Sequence, residues 1–286
     1  EDGYSLITVQ NGGRFLLIPT GMDAPDNLDA DIAPLYMPLD NLLVASTSTV
    51  ALMDEIGALS AVAQTTYDAE DWYLPDVKQA VQDGRIAYIG HYNQPDFERI
   101  ALNPPKLAVF STMIEGTPDV REKLDELDIP MLVDSSALEE TPLGRMEWMK
   151  LYGVLLDRVD EAEAAFEKQA AIVRDLEDFE NTGKTVAFFF INSEGSVVVR
   201  ASSDYVPKMI ELAGGKYIFD DISDPESNRS TVAITMEQFY AAALDADYLV
   251  YNATIDAPIS SVDELLAKKT ENAAADIQHQ TDRVAI

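Results

Sequence analysis

The sequence predicts an α/β protein: two α/β lobes with mainly parallel sheets, joined by a single long helix, with a ligand cleft between the lobes. Three observations predict this. A helix–strand pattern occurs twice, as Asp96-Phe97-Glu98-Arg99-Ile100 before Leu107–Thr112, and as Thr235-Met236-Glu237-Gln238-Phe239 before Tyr248–Thr254. Strand-like and helical segments alternate around each copy, which implies parallel sheet built from βα units. Between the copies, Met146, Met149, Leu155, Leu156, Val159, Phe166, Val173 and Leu176 recur at close to helical spacing. The expected division is an N-terminal lobe at 1–142, a connecting helix at 143–180 and a C-terminal lobe at 181–286. Clefts between domains are where small ligands bind.

The elements follow in order. Ser5–Val9 and Arg14–Ile18 read as strands of a hairpin around Asn11-Gly12-Gly13. Pro19–Asp40 reads as a Pro- and Asp-rich loop. Asn41–Ala45 is a short buried strand, and Ser46-Thr47-Ser48-Thr49 can cap a helix over Val50–Ile56 that Gly57 closes. Hydroxyls at that strand end lie where open α/β sheets bind ligands. Trp72–Asp83 is a predicted helix, Ile86–Ile89 a strand, Pro118–Leu127 a helix and Pro130–Val133 a strand. Beyond the connector, Thr185–Phe190 and Ser196–Arg200 are strands. Tyr205–Leu212 is a helix that Gly214-Gly215 stops, and a helix at 237–244 precedes the 247–251 strand.

With 47% hydrophobic residues in 286, the chain has ample material for a core. Its 51 acidic against 20 basic residues give a formal charge of -31. That excludes binding nucleic acid or an anionic membrane through a basic patch, and it fits a solvated acidic surface. Absence of cysteine excludes disulfides, thiolate metal sites and Cys nucleophiles. No apolar run is long enough to span a bilayer. A start at Glu1-Asp2-Gly3 reads as already trimmed.

Enzymatic signals are poor: no Gly-x-Ser-x-Gly, no phosphate loop and no His-Glu-x-x-His occurs. Of two histidines, His279 lies in a polar tail and His91 at a strand end. Asp220-Asp221 with Asp224 reads as a solvated turn rather than a Ca²⁺ site. No catalytic or metal residues are assigned. Ligand contacts are expected instead from strand-end and loop-edge residues: Ser46, Thr47, Trp72, Tyr92, Met113, Arg145, Trp148, Arg200, Tyr205 and Tyr251. Arg145 and Arg200 are scarce cations in an acidic chain, and a guanidinium in a cleft binds an anionic group bidentately.

Five segments in order resemble one family. "LVASTSTVALMDEIGAL", "PDFERIALNPPKLAVF", "GRMEWMKLYGVLLDRVDEAEAAF", "SSDYVPKMIELAGGKYIF" and "MEQFYAAALDADYLVYNAT" look like the iron-siderophore, heme and cobalamin substrate-binding proteins of ABC importers, the helical-backbone type of periplasmic binding protein. The resemblance covers about residues 41–255. Where that family has Pro-Asp, this chain has Pro105-Lys106, and its tail after about Leu266 is atypical, as if truncated or altered.

The resemblance implies an extracytoplasmic, periplasmic or lipoprotein location, with a lipid anchor outside this chain. It implies a monomer that binds a metal chelate, a ferric siderophore, heme or corrinoid, and needs no resident cofactor. It also implies that Glu98 and Glu237 dock onto an ABC permease dimer. The function expected is capture of an iron complex or related chelate and delivery to an importer. An enzyme or metal-cluster protein on a similar two-lobed fold, and a ligand-sensing domain without transport, are the alternatives.

Overall fold

The turn at Asn11-Gly12-Gly13 forms as its residue types require. The structure, a computed structural model, describes residues 3–177, 180–192, 194–223, 230–253, 261, 264–265 and 284–285. Asn11 takes a left-handed φ of 57° and Gly13 a φ of 118°. β1 (Ser5–Val9) and β2 (Gly13–Ile18) pair antiparallel, Val9 facing Gly13. Only glycine fits at position 12, where a Cβ would stand 2.5 Å from the Val133 carbonyl oxygen. Gly12 O instead accepts a hydrogen bond from Val133 N at 3.0 Å.

The Pro- and Asp-rich loop holds a strand that the sequence reading left out, β3 (Ile32–Tyr36), parallel to β2. Pro34 argues against a strand interior. β3 tolerates it because it is the outer strand of the β1-β2-β3 sheet.

The first lobe's main sheet holds β4 (Leu42–Ala45), β5 (Val62–Thr65), β6 (Ala87–Tyr88), β7 (Leu107–Ser111) and β8 (Met131–Asp134). All neighbours pair parallel, in the order β6-β5-β4-β7-β8. All four residues of β4 are buried because both of its faces are covered. Four helices accompany these strands: α1 (Thr47–Glu55), α2 (Pro75–Gln82), α3 (Phe97–Leu102) and α4 (Pro118–Glu126). Ser46 caps α1 by accepting from Thr49 N, and Gly57 follows α1 with a φ of 69°. Lys106, the departure from the family's Pro-Asp, bonds Asp40 Oδ1 at 2.5 Å.

The stretch expected to be one connecting helix is two: α5 (Pro142–Leu156) and α6 (Val159–Glu177). Asp157 breaks it with a left-handed φ of 56°. Arg158 N donates to Gly153 O at 2.7 Å, and a Cβ on Gly153 would meet the buried Ala162 Cβ at 2.6 Å. The apolar spacing continues across this corner, so periodicity alone does not reveal it.

The chain forms two compact units. One takes the described residues through Ala137 together with Met146–Gln169; the other takes Leu138–Arg145 and the described residues from Ala170 on. The second lobe contains β9 (Lys184–Ile191), β10 (Val197–Arg200), α7 (Tyr205–Leu212), β11 (Gly215–Tyr217), β12 (Thr231–Ile234), α8 (Met236–Ala243), β13 (Tyr248–Tyr251) and β14 (Val284–Ala285). Its sheet is mixed. β9 pairs parallel with β11 and β13, while β10 runs antiparallel to β9 and β12. Phe189, Phe219 and Phe239 build an aromatic core on one face, with Phe189 and Phe239 centroids 4.4 Å apart. Asp224, His279 and most of the tail lie outside the described residues.

Candidate functional site

In the first lobe, parallel pairing puts every strand's carboxyl end on one edge of the sheet. From β4 the chain goes to β5 and β6 on one side, then to β7 and β8 on the other. The switch therefore falls between β4 and β7, the place where open α/β sheets leave a crevice. Ala45 pairs with Phe110 there, so Ser46 and Thr47 follow β4 beside Ser111, the last residue of β7, and Thr112 after it. Thr47 and Met113 are exposed at that edge, and Ser46 is buried by its capping role. Tyr92 follows β6, half-buried, with its ring 4.6 Å from that of the exposed His91. Tyr67, which the sequence reading did not name, joins this edge. Burial raises its phenol above the ordinary value, helped by Tyr92 and Asp71.

Behind the edge lies a buried carboxylate. Asp134 ends β8, and its Oδ2 accepts from Thr49 Oγ1 at 2.7 Å and from the Tyr152 hydroxyl. Its Oδ1 accepts from Ser136 N at 2.7 Å. Three donors compensate the burial of this group, which is 2% exposed. Burial, then the Asp134 charge, push the Tyr152 phenol far up. The network joins α1, the end of β8 and α5. Nothing in the residue spacing marks Thr49, Asp134 and Tyr152 as neighbours.

Two expected ligand contacts are corrected by burial. Trp72 is 5% exposed and packs edge-on to Tyr67 in the first lobe's core. Tyr251 is 3% exposed, edge-on to Phe189 at 5.5 Å, in the second lobe's core. A loop-edge aromatic is more often packing than ligand contact, and here both rings turn inward. Trp148 is half-buried against the first lobe's core.

The second lobe gathers its two singled-out cations. The Arg145 guanidinium lies over the Tyr205 ring, 4.1 Å from the centroid. Arg200 lies 5.7 Å from the Phe188 centroid, and its Nη1 stands 3.7 Å from Asp204 Oδ2. Asp204 caps α7, accepting from Val206 N at 3.0 Å. Tyr217 fixes the Arg200 backbone: its hydroxyl accepts from Arg200 N at 2.9 Å and donates to Arg200 O at 3.0 Å. Burial raises the Asp204 carboxyl, while the Val206 N–H, Arg200 and Arg145 pull it down. Arg200 thus stands beside this buried carboxylate, and Arg145 is near enough for its charge to lower it as well.

Glu98 and Glu237 are both exposed in the first turns of α3 and α8.

The sequence profile described as Periplasmic binding protein matches residues 43–274. The chain belongs to the periplasmic binding protein family. Among curated members it is 27% identical over 259 residues to an uncharacterized lipoprotein of Methanocaldococcus jannaschii, covering 86% of this chain and 61% of that one. A second uncharacterized lipoprotein of that organism is 23% identical, covering 87% and 64%. The chain thus spans less than two thirds of these relatives' length. Its fold is shared with a petrobactin-binding protein of Bacillus subtilis, at TM-score 0.66 and 14% identity over 98% of this chain and 88% of that one. A protein of a Fe3+-hydroxamate transport system of Saccharomonospora viridis gives TM-score 0.65 at 19% identity, covering 86% and 84%. A heme-binding protein of Vibrio cholerae gives TM-score 0.64 at 16% identity, covering 86% and 88%. The chain thus shares its fold with these three proteins. Among the described residues of this member, no helix is long and apolar enough to cross a membrane.

Proposed function

We propose that this chain is an extracytoplasmic solute-binding protein that captures an anionic metal complex and delivers it to an ABC importer. An iron chelate of the siderophore kind is the favoured cargo, with heme and corrinoid as related candidates. The observation that carries this reading is the Arg145–Arg200 pair around Asp204 and Tyr205. Cations placed on aromatic faces with one shared counter-charge suit a carboxylate or similar anion on a chelate. Arg145, Arg200 and Tyr205 are the ligand contacts proposed in the second lobe. Thr47, Tyr92 and Met113 are those proposed in the first; Ser46 is buried and committed to capping α1, so it is not among them. Glu98 and Glu237 are proposed to engage the permease. The location follows the lipoprotein naming of the relatives.

Titration of ferric siderophores bearing carboxylates, heme and cobalamin against wild type, Arg145→Ala and Arg200→Ala tests this. Binding of an anionic chelate that drops at least tenfold in either variant supports it. Binding indifferent to both substitutions refutes the anionic-contact assignment.

A further inference from the structure

Asp204 stands behind the guanidinium that a bound anion would engage. Its Oδ2 faces Arg200 Nη1 at 3.7 Å, too far for a hydrogen bond, while its Oδ1 is committed to Val206 N at 3.0 Å. Its side chain is 1% exposed, against 15% for Arg200. The guanidinium therefore offers an open side while the carboxylate lies sealed behind it. Groups facing Asp204 come from four elements: Arg200 at the end of β10, Arg145 on α5, the Tyr217 hydroxyl on β11 and the α7 amide of Val206. Among the described residues, the groups that shift it most after burial are the Val206 N–H and the two guanidiniums.

We propose that Asp204 is an internal counter-anion that competes with the ligand, so that its protonation tightens anion binding and each anion bound takes up a proton. This rests on the reading that Arg145 and Arg200 receive the ligand's anionic group. In the empty state the carboxylate neutralises part of the two guanidiniums' charge. An arriving anion shares those cations and meets the Asp204 charge behind them at short range in a poorly solvated place, where repulsion is strong. Protonating Asp204 removes the repulsion and leaves both guanidiniums to the ligand. Linkage makes the effect reciprocal: an anion helped by the proton raises the carboxyl's affinity for that proton.

The direction of the pH effect follows. Burial holds the Asp204 carboxyl above the ordinary carboxylate range. With an anion bound it titrates higher still. Affinity rises as pH falls below the bound-state value and levels off below the empty-state value. Within that window one linked proton gives about tenfold in affinity per pH unit. Asp204 is a positioning and competing residue, and it needs no contact with the ligand.

The test uses hexacyanocobaltate(III), an inert trianionic metal complex whose charge does not change between pH 4 and pH 8, with the neutral complex ferrioxamine-type hydroxamate as control. Calorimetry measures affinity across that range for wild type, Asp204→Asn and the Arg145→Gln/Arg200→Gln double variant. Asparagine caps helices about as well as aspartate, so α7 keeps its start. The expected result is wild-type affinity that rises on acidification. Asp204→Asn should show a flat profile and bind about tenfold tighter at pH 7. A second measurement needs no variant: binding in two buffers of different ionisation enthalpy should report uptake of up to one proton by wild type. Arg-dependent binding that is flat with pH, or weaker in Asp204→Asn, overturns the competition while leaving the anion reading intact. Binding that survives loss of both arginines, or no binding of the trianion by wild type, overturns the anion reading and the competition with it.

Discussion

Arg145 lies over the ring of Tyr205, 4.1 Å from its centroid, and Tyr205 is the residue that follows the Asp204 cap of α7. The first turn of α7 is thereby coupled to a cation on the first turn of α5, inside one compact unit. A partly buried cation–π contact of this kind contributes about 0.5–2 kcal/mol. Tyr205→Leu is expected to lower stability by about 1 kcal/mol in urea denaturation, and to weaken anionic-ligand binding because Arg145 loses its support. Unchanged binding with reduced stability would show that the ring serves only the fold.

The N-terminal hairpin makes a sharper steric prediction. Gly12 brings backbone so close to Val133 that any Cβ meets its carbonyl oxygen at 2.5 Å and Val9 Cγ1 at 2.4 Å. The first neighbour is backbone and cannot rotate away. Gly12→Ala should cost roughly 2–3 kcal/mol, at the upper end of ordinary substitutions. A midpoint in denaturant within experimental error of wild type would show that the turn lifts off β8 freely.

Tyr152 gives a prediction in alkaline solution. Its phenol is raised far above the ordinary 10.0, chiefly by burial and next by Asp134. The unfolded chain therefore releases the proton first, and the folded state holds more protons above pH 10. Stability from this group is complete below the unfolded value near 10 and is eroded as pH rises above it. Tyr152→Phe should remove one donor from Asp134, costing about 1–3 kcal/mol at pH 7, and should flatten the loss of stability between pH 10 and pH 11. Melting temperatures of both proteins across that range decide the matter; parallel curves would remove Tyr152 as the cause.

A formal charge of -31 should make the fold salt-dependent. Acidic self-repulsion opposes compaction, and it is screened over about 10 Å at 0.1 M and about 3 Å at 1 M salt. The melting temperature should rise by several degrees from 0.05 to 1 M KCl. A flat response would mean that local ion pairs such as Lys184–Asp247 already balance the surface.

The parts of the fold legible in the sequence are those fixed by local chemistry. Ser46 announces a cap, Gly57 a helix end and Asn11-Gly12-Gly13 a turn; each reappears in that role. β3 escaped because Pro34 disqualifies an interior strand, and only tertiary position makes it an edge. The corner between α5 and α6 escaped because Asp157 carries no more turn signal than its many acidic neighbours. The same abundance hid Asp204 and Asp134, whose importance lies in burial and partners rather than residue type. Arg145 and Arg200 were legible for the opposite reason, being rare. Trp72 and Tyr251 were misread because an aromatic ring near a strand end can face either way.

Glu98 and Glu237 hold the same local place in the two lobes. Asp96 caps α3 by accepting from Arg99 N, and Thr235 caps α8 by accepting from Gln238 N. Each glutamate is therefore the second residue of a capped helix that precedes a core strand, and each is exposed. The first turn of a helix favours a carboxylate, so neither is costly to the fold. Nor does either glutamate lie among the residues around Asp134 or Asp204. Exposed charges of this kind set encounter rate and register with a charged partner more than they set anything inside the protein. Replacing both by arginine should leave ligand affinity within about twofold and lower stability by no more than about 1–2 kcal/mol from reversed helix-end charge. Uptake through the partner permease should fall at least tenfold. Uptake assays in cells, with ligand titration of the purified double variant, separate the outcomes. Normal uptake would remove the docking role, and lost ligand binding would move both residues from the permease to the ligand.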